Sequence, residues 1–216
     1  ALVERSLSEV AKLAEKEPES YADFWKDFGP VLKEGLYEDQ EQRETLLKLA
    51  RFRSTHGEGL VSLADYVGRM KPGQEAIYYL SGESVEAAAR SPQLEGFAAR
   101  GVEVLLLADP VDEFWIPNVG AYDAKPFKSA TRGGAELDKI ELSEEKKQAQ
   151  EPQPAGTDAL IAMLRLALQD AVKDVRASSR LDTSAVCLVA DEGDMDIHLE
   201  RLLKQHRQLD SASKRV

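Results

Sequence analysis

Two short apolar runs, residues 76–80 and 102–107, constrain the fold of this chain more than any other feature. Both have the length of a strand and are bounded by polar, glycine-containing sequence, which is typical of buried strands. Helical patterns over residues 84–89 and 93–100 separate the two runs. A strand–helix–strand connection is almost always right-handed, so the two strands are predicted to lie parallel in one sheet. The predicted fold class is therefore α/β.

Three helices are predicted ahead of this unit, over residues 1–15, 21–36 and 39–49. The second carries an apolar stripe at helical spacing, formed by Tyr21, Phe24, Trp25, Phe28 and Leu32. Gly29 and Pro30 should kink or break this helix, because proline lacks a backbone N–H. We expect the three helices to pack together as a helical coil.

Local signals place the elements around the two strands. The polar, glycine-containing segment 56–59 is predicted to be a loop, and Ser62 to cap a short helix that ends near Met70. A helical turn is expected over residues 112–116 and a further strand over residues 127–131. Together with the parallel strands, these elements predict one compact unit.

A change of composition marks a boundary after this unit. Residues 132–156 are rich in Gly, Pro, Gln, Glu and Lys and contain few apolar side chains, so they predict a partly mobile linker. Beyond it, Thr157 is predicted to cap an apolar helix that runs to residue 171. Strands are predicted over residues 172–178 and 184–189, and a final helix from Asp194.

Composition narrows the classes of partner. The chain has 28 basic and 39 acidic residues, and a net charge of −11 repels nucleic acids and anionic membrane surfaces. A single cysteine, Cys187, excludes an internal disulfide and fits a reducing compartment, so we expect the cytoplasm. No apolar run approaches the roughly 20 residues of a membrane helix. The first residues lack the features of a signal peptide and start within an amphipathic pattern, which predicts a piece of a longer protein.

No motif of nucleotide, metal or nucleophilic chemistry is visible in the sequence. The histidines His56, His198 and His206 have no paired ligand spacing, and no phosphate-binding glycine loop follows a strand. We therefore predict no catalytic, cofactor-binding or metal-binding residues.

One enzymatic alternative stays open. Asp109, Asp112 and Glu113 follow the second strand, where active sites of α/β folds occur, and could form an acid–base site in a stand-alone hydrolase-like enzyme. A capped helix start, with acidic residues at the positive end of the helix dipole, explains the same residues and is favoured.

Two apolar groups are candidates for a contact surface. Phe114 and Trp115 stand next to each other in a short turn, and the two rings cannot easily reach one core. The residues Met195, Leu199, Leu202 and Leu203 form a stripe on the last helix. The periodicity of that stripe favours core packing, whereas a flexible methionine-containing surface would suit varied apolar partners.

Several longer motifs identify a family. The chain reads FWKDFG at residues 24–29, IYYLSGES at 77–84 and YDAKPFKSAT at 122–131. After the linker it continues with KDVRASSRLDTSAVCLVADEGDM at 173–195. These motifs resemble the ninety-kilodalton heat-shock protein chaperones, and the last is similar to the bacterial or organellar type. The resemblance covers nearly the whole chain apart from the linker.

The resemblance implies a domain organisation. Residues 1–142 correspond to the later part of a middle domain, with a helical coil over 1–50 and a small αβα subdomain over 51–131. Residues 143–156 would be the linker, and residues 157–216 the first part of a small α+β C-terminal domain. The family is a dimeric clamp driven by ATP. ATP and Mg²⁺ bind to an N-terminal domain outside this chain, so no ATP hydrolysis is expected from this segment.

The resemblance also implies partners and contact residues. The family binds unfolded or partly folded client proteins. Client-contact positions correspond to Glu113, Phe114, Trp115, Met195, Leu199, Leu202 and Leu203, although Trp115 and Pro117 depart from the usual pattern. The dimerisation helices of the family would follow the last residue, so we expect weak or no dimerisation of this chain.

Overall fold

The computed structural model describes residues 2–132, 136–143, 156–169, 171–178, 180–191 and 194–205. The chain divides into two compact units. Unit 1 comprises Ala1–Met70, Glu75–Ala89 and Glu103–Lys128, and unit 2 comprises Lys71–Gln74, Arg90–Val102 and Ser129–Val216. Within the described ranges, no helix is both long and apolar enough to cross a bilayer.

The secondary structure confirms a mixed α/β chain. The helices are α1 (Leu2–Lys16), α2 (Pro18–Glu38), α3 (Arg43–Leu49), α4 (Leu63–Gly68), α5 (Val85–Ala89), α6 (Glu95–Ala98), α7 (Asp112–Val119), α8 (Thr157–Leu168) and α9 (Ile197–Gln205). The strands are β1 (Phe52–Ser54), β2 (Gly57–Val61), β3 (Ile77–Ser81), β4 (Leu105–Leu107), β5 (Ala121–Tyr122) and β6 (Lys125–Ser129). They form a six-stranded sheet in the order β2-β1-β4-β3-β6-β5.

The parallel pair at the centre of the sheet confirms the first prediction. β3 runs parallel to β4, with Tyr79 opposite Leu105. β1 adds to β4 in the antiparallel direction and β2 adds to β1. The prediction of a loop at residues 56–59 was wrong, because this segment contributes to β2. Its glycines and its largely exposed side chains carry no apolar alternation, so the strand depends on hydrogen bonds to β1.

Two local predictions concern helix ends. Ser62 caps α4 as expected: its hydroxyl accepts the Asp65 N–H, and the Asp65 carboxylate accepts the Ser62 N–H in return. The predicted break at Gly29 and Pro30 was wrong, since α2 continues to Glu38. Gly29 lies against the indole of Trp25, where an added Cβ would stand 2.9 Å from Cε2.

Unit 2 corrects two predictions about the second half of the chain. Leu137 and Ile140 are buried, and the Arg100 side chain donates to the Ile140 carbonyl at 3.1 Å, so part of the predicted linker packs against unit 2. Residues 133–135 and 144–155 of the predicted linker lie outside the described residues. The strands predicted over 172–178 and 184–189 are wrong for the residues described there, since they form no strand. Val186 and Leu188 are exposed and have no neighbouring strand within the described part of the chain.

A carboxylate organises one loop of unit 2. Glu95, the first residue of α6, accepts hydrogen bonds from the backbone N–H groups of Asp182, Thr183 and Ser184. The hydroxyl groups of Thr183 and Ser184 donate to the same carboxylate. This loop therefore has a fixed partner in α6 although it has no secondary structure of its own.

Candidate functional site

The first candidate surface lies on α7 in unit 1. Phe114 is 56% exposed, and its ring centroid stands 6.3 Å from that of Tyr37 on α2. The Phe114 carbonyl accepts a hydrogen bond from the Asn118 side chain at 2.7 Å. Glu113 is half-buried beside it. The ring of Phe114 is thus presented to solvent from an ordered helix rather than from a loose turn, and we call Glu113 and Phe114 the α7 surface.

Trp115 does not belong to this surface, which corrects the predicted set of contact residues. Its side chain is fully buried, at 0% exposure. The indole meets the ring of Phe127 edge-on at 5.3 Å between centroids and lies 5.8 Å from Phe52. Its Nε1–H donates to Oδ1 of Asp112 at 2.7 Å. Trp115 is a core residue that anchors α7, so it cannot reach a partner in this structure.

Two of the three carboxylates of the enzymatic alternative, Asp109 and Asp112, pair with a buried cation. Lys33 Nζ lies 2.7 Å from Oδ2 of Asp109 and 2.9 Å from Oδ1 of Asp112. Asp112 also accepts the Asp109 N–H and the Trp115 indole N–H. Burial raises the pKa of Asp112 above its ordinary value, while the charge of Lys33 and hydrogen bonds from Lys33 and Trp115 oppose that rise. Both oxygens of Asp112 face protein groups, so this perturbed carboxylate is a buried structural ion pair and offers no oxygen to a substrate.

The second candidate surface lies at α9 in unit 2. Met195, just ahead of the helix, is 36% exposed, and Leu199, Leu202 and Leu203 are half-buried. These four residues form the α9 surface. Asp196 caps the helix by accepting the His198 N–H at 2.8 Å. The side chains of the α9 surface are therefore only partly exposed to solvent.

Sequence reasoning missed further exposed apolar side chains. On α8 the residues Leu160, Met163, Leu166 and Leu168 are exposed, although an apolar helix predicts burial. On α2, Phe28 and Val31 are exposed beside a buried stripe. An apolar helix of this kind is typically buried, so the sequence pattern carries no signal for the exposure of α8. No signal distinguished Phe28 from its buried neighbours.

No cluster of three or more metal-binding side chains occurs in the part of the chain that the structure describes. The two candidate surfaces belong to different units. Each of them carries apolar side chains that are exposed or half-buried.

Comparisons with known proteins agree with the fold. A family model described as Hsp90 protein matches residues 1–216. The chain is 53% identical over its full length to the chaperone protein HtpG of Roseobacter denitrificans and 52% identical to that of Paramagnetospirillum magneticum. In both cases it spans 35% of the relative's length.

A solved structure is similar as well. The middle domain of a Plasmodium falciparum heat shock protein superposes with a TM-score of 0.57 at 32% identity. The match covers 61% of this chain and 56% of that domain. None of these comparisons supports a stand-alone hydrolase. The full-length family match and the HtpG relatives together show that this chain belongs to the Hsp90 family of chaperones.

Proposed function

We propose that this chain is the late middle and early C-terminal portion of an HtpG-type chaperone, with the domain boundaries that the resemblance implies. Within that chaperone it would contact partly folded client proteins through the α7 surface and the α9 surface. The similarity to a solved middle domain supports the first part of this proposal. The exposed apolar side chains support the second.

The observation that carries client contact is the exposure of Phe114. More than half of the ring faces solvent, while its neighbours Trp115 and Ile116 are buried and fix the helix. An aromatic ring held in this way binds an apolar partner with little loss of side-chain freedom. Glu113 beside it supplies a polar edge, which is the usual arrangement around an apolar contact.

The α9 surface provides a second, more adaptable contact. Methionine is flexible and polarisable, so the partly exposed Met195 can fit side chains of different shape. The half-buried leucines behind it would be uncovered further by small movements of α9. A surface of this kind suits varied clients rather than one partner.

The activity of the whole protein is part of the same proposal. Full-length relatives are chaperone proteins, and this chain spans about a third of their length. We place ATP and Mg²⁺ in a separate N-terminal domain and assign no cofactor to the present segment. In the full-length homodimer this segment would transmit the clamp motion, and the cytoplasm is the proposed location.

Suppression of aggregation tests client contact. The chain is added to thermally denaturing citrate synthase, and light scattering is compared for wild type, Leu199→Asp plus Leu202→Asp, and Met195→Ser. Both variants should suppress the aggregation of citrate synthase less than wild type does. Met195→Ser changes a side chain that is already exposed, so this variant should stay folded. It therefore tests the α9 surface even if the double variant fails to fold.

The matched control is Leu2→Asp plus Val3→Asp, which adds the same charge at two exposed apolar positions of α1. It should suppress aggregation as well as wild type does. Equal suppression by wild type and by both α9 variants, with circular dichroism showing folded protein, would reject the α9 surface as a client contact.

A further inference from the structure

Asp196 is a buried carboxylate with two separate sets of partners. Only 5% of the residue is exposed. Its Oδ1 accepts the His198 N–H at 2.8 Å and so caps α9. Its Oδ2 accepts hydrogen bonds from the hydroxyl groups of Ser129 and Thr131, the latter at 2.8 Å. One side chain therefore starts the helix and ties it to a distant segment of unit 2.

The chain leading into α9 is tied to the same segment. The Ala190 N–H donates to the Thr131 carbonyl at 2.9 Å, and Arg132 Nη2 donates to the Asp194 carbonyl at 3.2 Å. Among the described residues, Asp196 is a further connection between residues 190–191 and 194–196 on one side and residues 129–132 on the other. It is the one closest to the helix, so it restrains α9 most directly.

A second restraint keeps the approach to α9 in place. Lys173 Nζ lies 2.9 Å from Oδ2 of Asp191 and 2.8 Å from Oδ2 of Asp194. This cation neutralises two like charges that would otherwise repel each other in the approach segment. Past the first turn, Arg201 and Lys204 are exposed. The hydrogen bonds and ion pairs described above act at the N-terminal end of the helix, and Leu202 and Leu203 are half-buried further along it.

We propose that Asp196 is a positioning residue which, through Ser129 and Thr131, fixes the direction in which the α9 surface is presented to a client. This inference rests on the proposed function, because it assigns the anchor of a surface proposed there. With this anchor in place, α9 presents Met195 and Leu199 in one orientation. Without the anchor, binding must also stop the motion of the helix, which weakens affinity.

Variants at Asp196 can separate capping from anchoring. Serine is as good a helix cap as aspartate, but its side chain is one atom shorter, so Asp196→Ser keeps the cap and loses the reach to Ser129 and Thr131. Asp196→Asn keeps both the helix cap and the contact with Ser129 and Thr131, since its amide can cap the helix and hydrogen-bond to hydroxyls. Ser129→Ala plus Thr131→Val removes the anchor from the other side and leaves the cap untouched.

Mobility of α9 is the first measurement. A spin label is attached at Arg201→Cys, an exposed position of α9, in a Cys187→Ser background, and its electron paramagnetic resonance spectrum is recorded. Asp196→Ser and Ser129→Ala plus Thr131→Val should both give a more mobile label, while Asp196→Asn should stay close to wild type. An unchanged spectrum in either loosening variant, or an equally mobile label in Asp196→Asn, would overturn the anchor. Circular dichroism confirms that each variant is folded.

Affinity is the second measurement, with fluorescently labelled, reduced and carboxymethylated α-lactalbumin as a permanently unfolded probe. The loosening variants should raise Kd roughly five- to tenfold, as expected when a pre-organised contact becomes mobile. A looser helix with unchanged Kd would overturn the positioning role. Failure of the wild-type chain to bind the probe would instead count against the proposed function, while the mobility result would still decide whether the anchor exists.

Discussion

The ammonium group of Lys33 lies 2.9 Å from Oδ1 of Asp112, and the two side chains are only 6% and 1% exposed. The pair joins α2 to α7 across 79 positions of sequence. The pair fixes the position of α7, the helix that carries the exposed Phe114. The stability of unit 1 and the geometry of the α7 surface therefore depend on the same contact.

Removing the cation from this pair should destabilise the protein strongly. Lys33→Met leaves Asp112 buried without its cation, which costs about 3–5 kcal/mol. The free energy of unfolding in urea measures the loss. Adding Asp112→Asn should recover part of it, because the amide carries no charge and its oxygen can still accept the Trp115 indole N–H.

Lys12→Met is the matched control. Lys12 pairs with Glu9 at 2.7 Å, but both side chains are more than half exposed, so the variant should cost no more than about 0.5 kcal/mol. A Lys33→Met variant as stable as this control would contradict the structural role of the buried pair.

Phe114→Ser should weaken client contact with little effect on folding, because the ring is already exposed. Suppression of citrate synthase aggregation measures the effect. Phe28→Ser is the control, since Phe28 is also phenylalanine on a helix and is similarly exposed, at 52%. If the two variants suppress aggregation to the same extent, Phe114 has no special part in binding.

Replacing either of two glycines by alanine should change the stability of the protein, in opposite directions at the two positions. Gly120 ends α7 with φ of +71°, and an added Cβ there meets nothing within 4 Å, so Gly120→Ala should cost about 1–2 kcal/mol from backbone strain alone. Gly68 is the last residue of α4 and also has open space around it. Gly68→Ala should stabilise by about 0.4–1 kcal/mol. Thermal unfolding of both variants checks the sign, and a stabilising Gly120→Ala would show that this helix end adopts another conformation.

Glu95 should make unit 2 sensitive to acid. Although burial raises the pKa of Glu95, hydrogen bonds from Ser184 and from the backbone N–H groups of residues 182–184 lower it to about 2, from an ordinary value of 4.5. The ionised form is favoured in the folded state, so its contribution is present above pH 4.5 and is lost as the pH falls through about 2.

The measurement is the difference in unfolding free energy between wild type and Glu95→Gln. This difference should be constant near neutral pH and shrink as the pH is lowered from about 4.5 to 2. Glu86→Gln, at an exposed position of α5, serves as control. A difference that does not change across this range would mean that the hydrogen bonds to Glu95 do not depend on its charge.

Local interactions account for what was predictable from sequence. The capping box of Ser62 and Asp65 spans four residues, and the parallel strands follow from an apolar pattern with a helical connection. The family motifs are also contiguous. Each of these features can be recognised without knowing where the rest of the chain lies.

The sequence predicted which groups of residues could form the candidate surfaces, but it did not predict which members of each group are exposed. Phe114 and Trp115 point about 100° apart on α7, and it is Trp115, together with Ile116, that is buried. Which of the two turned inward depended on Phe52 and Phe127, which the local pattern does not place beside the indole. The exposure of α8 likewise depends on which parts of the fold pack against this helix, and the local pattern does not show that.

The sequence by itself determined the fold class, the family and the positions of most helices, because these depend on side chains close together along the chain. Tertiary structure alone decided that β2 is a strand, that α2 passes Pro30 intact and that Lys33 neutralises Asp112. The ion pair joins residues 79 positions apart, and β2 depends on its pairing with β1 rather than on an apolar pattern of its own. Burial and pairing are properties of the assembled fold, and they selected Phe114 rather than Trp115 as the side chain that faces solvent.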